Sequence, residues 1–110
     1  MSEKRRYQRV AYFHRVDLTV LPNGPTVEGH AFDISIGGIG VTTALWLDRG
    51  KEIGIRFRFA NGDNTPIEEI ILGRVAYSKA DEDGNRLGIE FAEVVKAANQ
   101  PVLARTIDAL

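Results

Sequence analysis

Apolar and polar side chains alternate through most of this chain, and short polar turns interrupt the alternation. Arg15-Val16-Asp17-Leu18-Thr19-Val20 alternates strictly, as a half-buried strand does when successive side chains point to opposite faces. Pro22-Asn23-Gly24-Pro25 then breaks the chain. A second strand is expected from about Thr26 to Ile34, and Gly37-Gly38 turns it into a third, Ile39-Gly40-Val41-Thr42. The clearest strand is Glu52-Ile53-Gly54-Ile55-Arg56-Phe57-Arg58-Phe59, with four apolar side chains on one face and polar residues or glycine on the other. Asn61-Gly62-Asp63 is a turn signal. Ile70, Leu72, Val75 and Tyr77 belong to the next strand, in which Gly73 and Arg74 shift the phase and mark a bulge. Asp81-Glu82-Asp83-Gly84-Asn85 turns again into the alternating run Arg86-Leu87-Gly88-Ile89-Glu90-Phe91.

The last segment changes period. Leu103, Ile107 and Leu110 recur at helical spacing. Pro101 either opens a helix, where its missing N–H is tolerated, or kinks a longer one that begins near Glu93. The expected fold is mainly β: a small barrel of six or seven antiparallel strands over residues 10–92, with a C-terminal helix over 93–110 closing one end or side.

At 110 residues, with 44% hydrophobic and 26% charged side chains, the chain reads as one domain that needs no disulfide or metal staple. The absence of cysteine excludes thiol catalysis and a cysteine-based zinc site. No apolar run approaches the roughly 18 to 20 residues that span a bilayer, so no membrane span is expected. The first residues are charged where a signal peptide would be apolar, so the expected location is the cytoplasm. A net charge of −1 argues against binding a nucleic-acid polymer, which requires many neutralised phosphates. Lys4, Arg5, Arg6, Arg9 and Arg15 nevertheless crowd the beginning, while Asp81, Glu82 and Asp83 share a later turn. A basic segment on a slightly acidic protein points to a small anionic target.

Two motifs carry the candidate chemistry. Arg5 and Arg9 recur at a four-residue interval just before the first strand, with Lys4, Arg6 and Tyr7 beside them. A guanidinium is a rigid fork of donors that fits a phosphate and also the O6/N7 edge of guanine, and Tyr7 adds a stacking face. Asp33-x-Ser35-x-x-Gly38, with Gly37 inside it, follows the second strand. Each motif has an ordinary explanation as well. An arginine-rich start can be a solvated tail, and Asp, Ser and Gly are frequent turn formers.

Taken in order, the motifs resemble the PilZ domain family, bacterial receptors for cyclic di-GMP. That family places Arg-x-x-x-Arg just ahead of the first barrel strand and Asp/Asn-x-Ser-x-x-Gly after the second. Arg5 and Arg9 match the first motif, and Asp33, Ser35 and Gly38 match the second. Ile39-Gly40-Val41 and Leu87-Gly88-Ile89-Glu90-Phe91 also look like the family, so the likeness covers roughly residues 4 to 95. The resemblance implies a PilZ-like split barrel and a flexible arginine arm, residues 1–9, that wraps the ligand. Asp33 would accept from guanine N1–H and N2–H2, with Ser35 adding a hydroxyl contact. Gly37 and Lys4 are further candidates. Tyr77 or Arg74 would match an aromatic or arginine that stacks on a base in relatives. One ligand molecule and an intercalated pair both remain open. The resemblance also implies that ordering of the arm passes a signal to a downstream protein.

Other constellations are weak. Ser35-Ile36-Gly37-Gly38-Ile39-Gly40 joins two strands and lacks the following helix of a phosphate-binding loop. His14 and His30, the only histidines, have no carboxylate cluster at ligand spacing, so no metal and no cofactor are expected. Asp81–Asn85 resembles a calcium loop only until position twelve, which is Ala92 rather than Glu. Trp46 fits core or edge packing, or a partner contact. No Ser-His-Asp set or carboxylate pair announces catalysis, and the chain is not expected to be an enzyme. Two other readings stay open: a PilZ-like adaptor that binds protein without nucleotide, and a small single-stranded nucleic-acid binder.

Overall fold

A computed structural model of the chain describes residues 7–60 and 62–110. It contains six strands and one helix: β1 (Val10–Val20), β2 (Thr26–Ser35), β3 (Gly38–Thr43), β4 (Glu52–Phe59), β5 (Ile67–Asp81), β6 (Gly84–Phe91) and α1 (Pro101–Asp108). The strands close into a barrel in the order β1-β2-β3-β6-β5-β4, with every neighbouring pair antiparallel. β1 meets β4 only from Asp17 to Val20, so its first half pairs with β2 alone.

Alternation explains the core. Ile53, Ile55, Phe57 and Phe59 of β4 point inward, as do Leu87, Ile89 and Phe91 of β6 and Ile39 and Val41 of β3. Val16, Leu18 and Val20 of β1 complete the same interior. Two irregularities adjust this simple pattern. Between Ala31 and Asp33, β2 carries one extra residue, Phe32, against β3, and β1 carries one extra residue between Ala11 and His14 against β2. The second lies in β5 at Ala76, where the pairing with β6 steps from Val75↔Ile89 to Tyr77↔Gly88.

The β5 irregularity corrects the expectation of a bulge at Gly73 and Arg74. The register from Phe59↔Ile67 to Glu52↔Arg74 runs unbroken. Ile71, Gly73 and Val75 face the core, whereas Ile70 and Leu72 are outward and about half exposed. Two apolar side chains on the outer face mimicked a phase change that is absent at that point. Gly73 is itself inward, and a Cβ there would come within 2.7 Å of the Glu90 carbonyl oxygen. β1 also begins at Val10, five residues before its alternating run; the inward–outward alternation extends back to Val10, but the sequence hides it because Phe13 is apolar yet exposed and His14 is polar yet on the inner side.

The expected helix over 93–110 is shorter, Pro101–Asp108, with Pro101 in its first turn. Residues ahead of it turn without forming helix. The Asn99 side chain accepts from Lys96 N–H at 2.9 Å and donates to the Val94 carbonyl at 3.1 Å, bonds that compete with a helical ladder. The helix N-terminus is satisfied from another element: the Glu69 carboxylate of β5 accepts from Val102 N–H at 2.7 Å and Leu103 N–H at 2.9 Å. A carboxylate at that position matches both the free donors and the positive end of the helix dipole. The buried side chain of Leu103 follows the capped turn and joins the core cluster. Trp46, in the segment after β3, is about half exposed and donates to Asp48 Oδ1 at 2.9 Å, an edge position.

Two predictions follow from these contacts. Glu69→Ala removes two charge-assisted bonds and should cost about 1 to 3 kcal/mol in urea unfolding, with Glu69→Gln costing less. Tyr12 is buried with no hydrogen-bond partner for its hydroxyl among the described residues, and burial pushes its pKa up to about 12 from 10.0. The folded state thus holds the phenolic proton more tightly than the unfolded chain. Stability is fully present below pH 10 and declines as pH rises toward 12. In Tyr12→Phe, melting temperatures measured across that window should fall less steeply than in the wild type.

Candidate functional site

The irregularity at Phe32 determines what β2 shows to solvent. Ala31 and Ile34 are both buried, so Phe32 and Asp33 lie together on the outer side. Strict alternation onward from Ala31 would have sent Asp33 into the core. Two residues later Ser35, 3% exposed, closes the turn: its Oγ accepts from Gly37 N–H at 3.0 Å and Gly38 N–H at 3.2 Å. The serine therefore shapes the corner, and its oxygen is already engaged by backbone donors.

Arg9 lies across this corner. Its Nη1 donates to Asp33 Oδ1 at 2.9 Å, with side chains only 17% and 23% exposed. Glycine makes the crossing feasible. A Cβ on Gly38 would stand 2.9 Å from Arg9 Nη2 and 2.6 Å from the Ile89 carbonyl oxygen. A Cβ on Gly40 would meet Asp33 Oδ1 and the Phe32 ring, each at 2.6 Å. The Tyr7 ring rests on Gly37 in the same way. Arg9, Asp33, Ser35, Gly37, Gly38 and Tyr7 are thus gathered in one place. Lys4, Arg5 and Arg6 lie outside the described residues.

The outer face continues from this corner in two adjoining rows. Asp33, Gly40, Gly88 and Tyr77 are successive cross-strand partners on β2, β3, β6 and β5. The Tyr77 ring, 41% exposed, lies against Gly88. Ser35, Gly38, Glu90 and Arg74 form the next row. Tyr77 and Arg74, the candidates for stacking on a base, therefore share the face with Asp33. The Arg86 guanidinium stacks on Phe32, 4.5 Å from the ring centroid. Sequence reasoning did not single out Gly40, Gly88, Phe32 or Arg86 as site residues. A signal was present for the glycines: each sits at an outward position between two buried apolar residues, where side chains lie across the backbone, Asp33 and Phe32 over Gly40 and Tyr77 over Gly88. His14 lies elsewhere, stacked 5.4 Å from Tyr12 and donating to the Arg58 carbonyl at 3.1 Å.

Chemically, the corner offers a forked cation, a carboxylate acceptor, a flat glycine floor and an aromatic ring at the far end. Such a set suits a planar ligand that bears hydrogen-bond donors on one edge and negative charge nearby. Gly38 should be the least replaceable floor position, because its outward direction meets backbone. Gly38→Ala is expected to cost about 1 to 3 kcal/mol in denaturant unfolding by forcing β3 from β6, and to lose the Arg9–Asp33 pair as well.

A PilZ domain family model matches residues 3–108. No curated protein matches the chain. Among solved structures, the fold is similar to the Bacillus subtilis inhibitor of motility (MotI/DgrA), with a TM-score of 0.73 and 19% identity over 98% of this chain and 51% of that one. It is similar to the PilZ domain of Escherichia coli YcgR with c-di-GMP, at a TM-score of 0.66 and 20% identity, over 98% of this chain and 92% of that one. The PilZ domain of CeSA from a cellulose synthesizing bacterium gives 0.63 and 18%, over 93% and 96%. The chain spans about half the length of the motility inhibitor.

Proposed function

The chain belongs to the PilZ domain family, and from that membership we propose that it is a cytoplasmic receptor for cyclic di-GMP, a binding module rather than an enzyme, that signals to a protein partner. The observation that supports this most is the Arg9–Asp33 pair drawn over Gly38 at 2.9 Å. Asp33 keeps a second carboxylate oxygen and Arg9 keeps further donors at the corner. Asp33 accepts from guanine N1–H and N2–H2, and Arg9 turns its fork to a phosphate or to O6 and N7. Lys4, Arg5 and Arg6 are assigned to the phosphates from the sequence motif. Ser35 holds the turn through Gly37 and Gly38, and Tyr77 offers its ring to a base.

Binding on this reading is an exchange. The ligand replaces Asp33 as the acceptor for Arg9 and replaces Arg9 as the donor to Asp33, so neither charge is left unpaired. Because Tyr7 rests on Gly37 two residues before Arg9, movement of Arg9 shifts the surface beside the corner. That shift is the signal a partner protein reads. The c-di-GMP held by the YcgR PilZ domain makes the same ligand a natural first choice here.

Calorimetric titration with cyclic di-GMP tests the proposal. Arg9→Ala should weaken binding by about tenfold to a hundredfold, the worth of one or two charge-assisted bonds. Arg9→Lys should also weaken it, since an ammonium lacks the fork. Asp33→Ala should lose most of the heat. A folded wild-type sample that gives no heat at roughly tens of micromolar ligand, where a free energy near 6 to 7 kcal/mol would register, refutes the proposal.

A further inference from the structure

The outer face holds a second guanidinium–carboxylate set that the Arg9–Asp33 corner leaves unused. Arg74 and Glu90 are cross-strand partners on β5 and β6, and Glu90 stands opposite Gly38 on its other side. Val75, Ile89 and Phe91 are buried, so Arg74 and Glu90 project outward with the corner residues. Arg49 joins them around a cavity of about 290 Å3. A second cavity, about 360 Å3, borders the same Arg74 and Glu90 on the side of Glu52. Neither Arg49, Arg74 nor Glu90 forms an ion pair among the described residues.

These groups match one kind of ligand edge. Guanine presents acceptors at O6 and N7 and donors at N1–H and N2–H2, and an arginine beside a carboxylate presents the complement. Arg9 with Asp33 offers that pattern at one end of the face, and Arg74 with Glu90 repeats it at the other. Asp33 on β2 and Glu90 on β6 are two strands apart, about 10 Å across the sheet, and Gly38 and Gly40, which have no side chains of their own, lie on the strand between them. We infer that Glu90 and Arg74, with Arg49 across the cavity, form a second purine subsite that reads the other guanine of the bound cyclic dinucleotide. Both bases are then discriminated, one by Asp33 and one by Glu90. The inference rests on the proposed receptor function and adds the residues that select the second base.

The test compares cyclic di-GMP with the mixed cyclic GMP–AMP, in which one base lacks the guanine donor edge. Wild-type protein should bind the mixed dinucleotide at least about tenfold more weakly, the worth of one good base contact. Glu90→Gln should weaken cyclic di-GMP about tenfold and leave the mixed ligand nearly unchanged, closing the gap. Arg74→Gln reads out the same subsite from its other member if Glu90→Gln does not fold, as thermal melting will show. Equal wild-type affinity for the two ligands, or a variant that binds cyclic di-GMP as the wild type does, overturns the inference alone. A folded wild type that binds neither dinucleotide overturns the receptor function beneath it.

Discussion

One extra residue in β2 decides which way Asp33 faces, and the site depends on that direction. Phe32 is the extra residue against β3, matched by an extra residue of β1 between Ala11 and His14, which lets Ala31 and Ile34 both remain in the core. Without it, a carboxylate would enter an apolar barrel, at a desolvation cost of several kcal/mol for an unpaired charge. With it, the carboxylate lies over Gly40 within reach of Arg9. Bulges of this kind commonly re-aim a single side chain while the rest of the ladder continues. The glycines belong to the same arrangement. Gly38 and Gly40 face outward where any Cβ would collide with Ile89 O or with Asp33 itself, so the floor is formed by backbone. A backbone floor is flat and rigid, which suits a planar base better than a surface of mobile side chains.

The barrel was legible from alternation because a strand with one buried face has to alternate. Glu52–Phe59 and Arg86–Phe91 read correctly for that reason, and the six-strand closure follows from the number of such runs and their turns. Errors arose where an outer-face residue was apolar or a cap came from far away. Ile70 and Leu72 are exposed apolar residues, and periodicity alone cannot distinguish them from core. The absence of helix ahead of Pro101 depends on Asn99, and the helix start depends on Glu69, more than thirty residues earlier. The motifs name Arg9, Asp33, Ser35 and Gly38, which the fold gathers at one corner, but residue spacing does not reveal which contacts each makes. Ser35 turned out to hold the turn with its oxygen, and the face extended through Gly40 and Gly88 to Tyr77.

In the proposed receptor, the ion pair at the corner would set the character of binding. Arg9 and Asp33 are each about four-fifths covered, so their pairing answers a desolvation that an unpaired charge would otherwise suffer. A ligand that supplied only phosphate would satisfy Arg9 and strand Asp33. One that supplied only a base edge with donors would satisfy Asp33 and strand Arg9. A molecule that carries anionic phosphates and a guanine edge together replaces both partners at once. On that proposal the local charge arrangement would discriminate against simple anions and against uncharged bases through what each leaves unpaired, a stronger filter than an added attraction. The same logic separates this site from a nucleic-acid groove. There, affinity comes from many cations with no facing carboxylates, and here Arg9 is paired with Asp33 while Arg74 has Glu90 and Glu52 as cross-strand neighbours.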